Sequence, residues 1–125
     1  MPKFFLIAGS LLGASGVGLG AFGAHALKAS LEAAGRFDTF ETAVRYQFYH
    51  ALALVAVGIL MNQYPEAART LGWSGWAFLL GTLVFSGSLY LICFTGIRAF
   101  GAVAPIGGLG MVLGWALLAW GISRV

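Results

Sequence analysis

Charge is scarce in this sequence of 125 residues: Asp, Glu, Lys and Arg make up 9% of it, against about a quarter in a soluble domain. So few charges cannot cover the surface of a water-soluble globule. Disorder is excluded as well, because 60% of the residues are hydrophobic and disordered chains are poor in large apolar side chains. Cys93 is the only cysteine, which leaves no internal disulfide and no cysteine-based zinc site. The two histidines, His25 and His50, have no inward-facing Cys, Asp or Glu to complete a metal shell, and the sequence calls for no cofactor. Seven Lys and Arg against four Asp and Glu give a net charge of +3. The basic residues stand singly at Lys3, Lys28, Arg36, Arg45, Arg69, Arg98 and Arg124, with no patch or aromatic-interleaved stripe, so nucleic acid is not a partner. Their expected role is to anchor helix ends among phospholipid headgroups.

What is abundant is apolar sequence in long runs. Four stretches, at about 4–27, 43–61, 73–95 and 102–121, each approach the roughly 20 residues that carry a helix across about 30 Å of hydrocarbon. Open strands cannot satisfy their backbone in lipid, and the alternation of a barrel strand is absent. The sequence therefore predicts an all-α integral membrane protein, a four-transmembrane-helix bundle lying within residues 1–125. Leu27, Leu31, Ala34 and Phe37 recur at helical spacing between the first two spans, which predicts a short amphipathic surface segment broken at Gly35. Asp38 and Glu41 have capping-box spacing and are expected to start the second span. Tyr64-Pro65-Glu66 reads as a turn and Gly96 to Gly101 as a tight hairpin. Lys3, an apolar run and Ala24-His25-Ala26 imitate a secretory signal. The run is longer than a signal core and laced with glycine, so it is read as a retained span.

Four spans put both termini and the second loop on one side, and the first and third loops on the other. Lys and Arg then divide three (Lys3, Arg69, Arg124) against four (Lys28, Arg36, Arg45, Arg98), which sets no orientation. Trp73, Trp76 and Trp120, with Tyr64, form half an aromatic belt on the terminal side. Together with Arg98, Glu41 and Arg45, these tryptophans are the expected interfacial anchors, Glu41 and Arg45 forming an i,i+4 pair at headgroup depth.

Small residues let helix backbones approach in lipid, where burial of apolar surface gives no driving force. Gly9 to Gly13 and Gly16 to Gly20 both have GxxxG spacing, and Gly107, Gly110 and Gly114 repeat the device in the fourth span. On a helical wheel Ala14, Gly18 and Ala21 share a face with His25, nearly opposite Gly9, Gly16, Gly20 and Gly23. These faces are expected to pack helices within the chain or against a second protomer.

The segment Glu41 to His50 runs polar groups into the membrane. Ala43, Tyr46, Gln47, Ala53, Leu54 and Val57 lie within about 60° of His50, and this set is read as inward. Thr82, Ser86, Tyr90 and Cys93 share a face of the third span. His25, Tyr46, Gln47, His50, Ser86 and Tyr90 thus converge in the loop-side half of the bundle, which the fourth span enters through a proline-broken Ala104-Pro105-Ile106-Gly107-Gly108. Such a cluster is either interhelical glue or, around an intramembrane histidine, a ligand or proton site.

Gly20-Ala-Phe-Gly-Ala-His25, Ala43-Val-Arg-Tyr-Gln-Phe-Tyr-His50-Ala-Leu-Ala, Phe85-Ser-Gly-Ser-Leu-Tyr90 and Pro105-Ile-Gly-Gly108 with Gly114-Trp115 resemble domain-of-unknown-function family 423. These are small bacterial inner-membrane proteins related to the transmembrane protein 256 of animals. The resemblance spans nearly the whole chain and implies four membrane helices, the first uncleaved, in the inner (plasma) membrane. The family often has Thr before the proline; Ala104 stands there in this chain, so a hydroxyl at that position is not essential. The resemblance implies no molecular activity.

Two functions are compatible with these residues. The first expectation is a non-enzymatic interaction or assembly component packed through its glycine faces, with membrane lipids, a second copy or another membrane protein as partner. The second is a quinone- or lipid-binding or proton-linked module using the His/Tyr/Gln cluster. An enzyme acting on lipid comes third, since no nucleophile with a base at helical spacing, and no phosphate-cradling glycine loop, is present.

Overall fold

The computed structural model describes all residues from Met1 to Val125. It is helical throughout: α1 spans Pro2–Ala24, α2 Lys28–Ala33, α3 Phe37–Gln63, α4 Ala68–Thr95 and α5 Ala104–Ser123, with short 3-10 turns at Pro65–Ala67 and Arg98–Ala102. Four of these segments are long and apolar enough to cross a membrane. At about 1.5 Å per residue, α3 and α4 exceed the hydrocarbon thickness and carry their polar ends into the headgroup region.

The boundaries follow local chemistry. Pro2 and Pro105 sit in the first turn of α1 and α5, where a missing N–H costs nothing. The expected break at Pro105 is therefore a helix start, and the helix runs on without interruption through Gly107 and Gly108. Six-residue α2 buries only Leu31 and is capped by Ala34; the next residue, Gly35, takes the left-handed conformation at φ 70 that a Cβ would resist. α3 starts with Arg36 at its cap, leaving Asp38 in the first turn. The expected Asp38–Glu41 capping box is not formed; the Asp38 carboxylate instead complements the positive end of the helix dipole.

The helices pack in a chain, α1 on α3, α3 on α4 and α4 on α5, while α1 meets α4 only lightly. That last contact lies at the terminal side, where Trp76 stacks on Phe4 and meets Phe5 edge-on. The core there contains Phe5, Leu54, Val57, Leu71 and Phe78, all fully buried. Trp76 is thus built into the bundle, whereas Trp73 and Trp120 are exposed.

Glycine sets the close approaches. A Cβ on Gly9 would come within 2.8 Å of the Ala51 carbonyl oxygen, and one on Gly81 within 2.7 Å of the Met111 nitrogen and 2.8 Å of the Gly107 carbonyl oxygen. Gly110 lies against Gly81, and Gly114 against the Phe78 ring. The glycine faces expected to join helices are thus largely spent inside the chain. Gly13, Gly16 and Gly20 face α3 more loosely, with neighbours at 3.9, 3.5 and 3.3 Å from an added Cβ. Gly18 has none within 4 Å, and its companions Ala14 and Ala21 are exposed.

Gly81→Ala is expected to cost about 1–3 kcal/mol, because the colliding atoms are backbone and cannot rotate away. Gly16→Ala is expected to hold or raise stability, since its Cβ meets ordinary contacts and the helix gains propensity. Thermal unfolding of both variants in the same mild detergent checks the contrast.

Candidate functional site in the loop-side half of the bundle

Two polar centres occupy this half, side by side on the inward face of α3. The first is Gln47, 4% exposed. Its Nε2 donates to the Leu12 carbonyl oxygen and to Ser15 Oγ, both at 2.9 Å, and its Oε1 accepts from the Tyr90 hydroxyl at 2.6 Å. One side chain therefore ties α1, α3 and α4. Ser86 Oγ adds a bond to the Ala43 carbonyl oxygen at 2.8 Å, and Ser74 Oγ joins α4 to α5 through the Gly114 carbonyl oxygen at 2.6 Å. Every strong hydrogen-bonding atom of Gln47 has a partner within the chain, so this centre holds the fold and has little left for a ligand.

The second centre is His50, also 4% exposed. Its Nδ1 lies 2.7 Å from the Tyr46 carbonyl oxygen, and its Nε2 lies 3.1 Å from Trp115 Nε1. A carbonyl oxygen can only accept and an indole N–H can only donate. The partners therefore dictate the neutral imidazole protonated on Nδ1, with Nε2 accepting. Tyr46 stacks on the ring at 15°, and Phe78 and Trp115 meet it at 5.6 and 5.9 Å. His50 is held by aromatic neighbours, and neither ring nitrogen is free to pass a proton while both bonds stand.

Beside His50 an open groove of about 790 Å³ runs between α3 and α5, floored by Phe85 of α4. Tyr46, Tyr49 and His50 line one wall; Pro105, Gly108, Leu109, Val112 and Trp115 line the other. The volume falls within the range of small-molecule sites. Tyr46 is 39% exposed and Tyr49 52%, and their rings form a ladder with Phe85 at 5.8 and 5.0 Å.

The structure places Tyr46, Gln47, His50, Ser86 and Tyr90 in this half, divided between a clamp and a groove wall; Tyr46, read as inward, is instead exposed on that wall, because α5 leaves α3 uncovered there. His25 does not join them: it caps the end of α1 and is exposed, because the chain turns away to α2 directly after it. The expected Glu41–Arg45 pair is not formed either. The only ion pair is Lys28–Glu32 at 3.9 Å, and both Glu41 and Arg45 are exposed, where long side chains have little to gain by holding each other. Arg98 is exposed in its loop, and Arg124 lies over the Trp120 ring at 5.2 Å. Sequence reasoning missed Ser15 and Ser74 as interhelical partners. It also missed Trp115 as the donor to His50, although Trp115 stands among the residues that carry the family resemblance. Thr82 Oγ1 is buried without a hydrogen-bond partner.

The fold and this arrangement define a polytopic α-helical membrane protein with an open aromatic groove on its side. The chain belongs to the family described as "Protein of unknown function (DUF423)", whose profile matches residues 19–108. It is similar to the UPF0382 membrane protein SH2409 of Staphylococcus haemolyticus, with 42% identity over 93% of this chain and 92% of that one. It is similar to the UPF0382 membrane protein YwdK of Bacillus subtilis, 35% identical over 93% of each chain. The UPF0382 inner membrane protein YgdD of Escherichia coli K12 is 35% identical over 98% of this chain and 92% of its own. No solved structure matches. The protein is accordingly a multi-pass protein of the bacterial inner membrane.

Two outcomes check the centres. Gln47→Leu leaves Tyr90, Ser15 and the Leu12 carbonyl without their partner and is expected to cost about 2 kcal/mol, taking interhelical bonds at about 0.6 kcal/mol each; chemical or thermal unfolding in detergent measures it. Nitrogen NMR of histidine-labelled protein is expected to show His50 with a protonated Nδ1 and a bare Nε2. Trp115→Phe is expected to remove the hydrogen-bond signature at Nε2.

Proposed function

We propose that this protein is a non-enzymatic membrane protein that holds an amphiphile, a lipid or an isoprenoid quinone, with its apolar body in the α3–α5 groove. The observation that carries the reading is the groove itself: about 790 Å³, lined mainly by apolar and aromatic side chains, and open at its side. In hydrocarbon such an opening admits molecules from the bilayer without crossing water. The hydroxyls of Tyr46 and Tyr49, unlike that of Tyr90, make no hydrogen bond within the chain, and they give the groove two donors for a carbonyl or ester oxygen. Proton-linked action through His50 is the weaker form of this reading, because both its nitrogens are engaged.

The test is native mass spectrometry of protein extracted in mild detergent, with the retained molecule identified by mass as lipid or quinone. Val112→Trp or Gly108→Leu, which fill the groove, are expected to lower retention at least about tenfold, the scale of one buried apolar group, with unchanged melting. Equal retention in melting-neutral variants contradicts the reading.

One observation favours assembly as a second reading. The small-residue face of Ala14, Gly18 and Ala21 is left uncovered by the other helices, and faces of this kind associate in lipid. Cross-linking in membranes is expected to trap a dimer that Gly18→Leu abolishes; a monomer in both cases removes this reading.

A further inference from the structure

On the other side of α3 a second depression runs between α1 and α3. Its outer part is bounded by Ala24, Phe37, Glu41 and Arg45, its inner part by Val17, Arg45, Phe48 and Tyr49, and both parts share Gly20 and Val44. The volumes are about 100 and 310 Å³. Two features give this furrow a polarity. Arg45 borders both parts, yet it has no carboxylate within 4.0 Å, since the only ion pair of the chain is Lys28–Glu32. Glu41 lies one helical turn nearer the loop-side surface, about 6 Å further out along α3, and is also unpaired. From surface to interior the order is carboxylate, guanidinium, then apolar wall.

We propose that this furrow binds a zwitterionic phospholipid with a primary ammonium headgroup. Such a lipid presents its own charges in the complementary order: ammonium outermost, phosphate below it, hydrocarbon chain innermost. The Arg45 guanidinium offers donors in a fork that matches phosphate oxygens. The Glu41 carboxylate accepts N–H bonds from the ammonium, which a choline headgroup lacks. One acyl chain then lies along Val44 and Phe48 of α3 and Val17 of α1. Arg45 and Glu41 thus hold a headgroup between them in place of each other. The site shares only Tyr49 with the α3–α5 groove, and it does not rest on that groove's occupancy.

The experiment is native mass spectrometry of the Val112→Trp protein, in which the α3–α5 groove is filled, exchanged with phosphatidylethanolamine, phosphatidylcholine or phosphatidylglycerol. Phosphatidylethanolamine is expected to be retained about fivefold better than either of the others, the scale of one exposed charge-assisted contact. Glu41→Gln is expected to bring ethanolamine and choline lipids to parity, and Arg45→Gln to lower retention of all three. Val17→Trp, which fills the furrow from an exposed position on α1, is expected to abolish retention. Glycerol or choline lipid retained as well as ethanolamine lipid by the parent, or retention unchanged by Arg45→Gln, overturns the proposal. Both substituted charges are exposed, so the variants keep the fold, and melting measured in parallel confirms it.

Discussion

The bundle depends on one constraint, that hydrocarbon offers a polar group no partner other than another polar group of the protein. Gln47 meets it by spending its whole carboxamide on α1 and α4. Because both helices answer to the same side chain, their rotation about α3 is fixed. Ser86 and Ser74 extend the same logic from α3 through α4 to α5. Dispersion then acts over the short distances that Gly9, Gly81, Gly107 and Gly110 permit. Hydrogen bonds choose the register, and glycine sets how near the backbones come.

The groove is a consequence of this arrangement. α5 is held against α4 by backbone contact at Gly81, and it reaches α3 mainly through Trp115 on His50. Two helices flanking a third, and touching each other at one level, leave space above that level. The space is walled by the rings that fix His50. The bond between Trp115 and His50 therefore serves two ends: it closes the bundle at mid-height, and it commits the imidazole to one neutral tautomer. A histidine so committed contributes shape and an apolar flank to the groove, which is why a binding role fits it better than a relay.

Much of this was legible in the sequence, for physical reasons. Span number follows from the length of the apolar runs, and the inward placement of Gln47 and His50 on α3 from helical periodicity. What the sequence did not convey is rotation of one helix against another. Gly81 has no glycine at GxxxG spacing within its own helix, so its role appears only once α5 is laid upon it. Trp115 is three turns into α5 and becomes the partner of His50 only through that same docking. Conversely, i,i+4 spacing brought Glu41 and Arg45 within reach of each other without giving them a reason to pair at an exposed headgroup level. His25 shared a helical face with small residues, but the chain leaves the bundle directly after it. Local spacing predicted the faces; which face met which neighbour was a tertiary fact.

The central claim is that the α3–α5 groove is an occupied lipid-facing site, with His50 as a fixed part of its wall. A structure determined in a bilayer of native lipid, without detergent extraction, tests it most directly. The account predicts elongated density along Phe85, Leu109 and Val112, with its polar end toward Tyr46 and Tyr49, and the bond from Trp115 to His50 intact. A groove closed by collapse of α5 onto α3, or filled by a helix of a second copy, would contradict it.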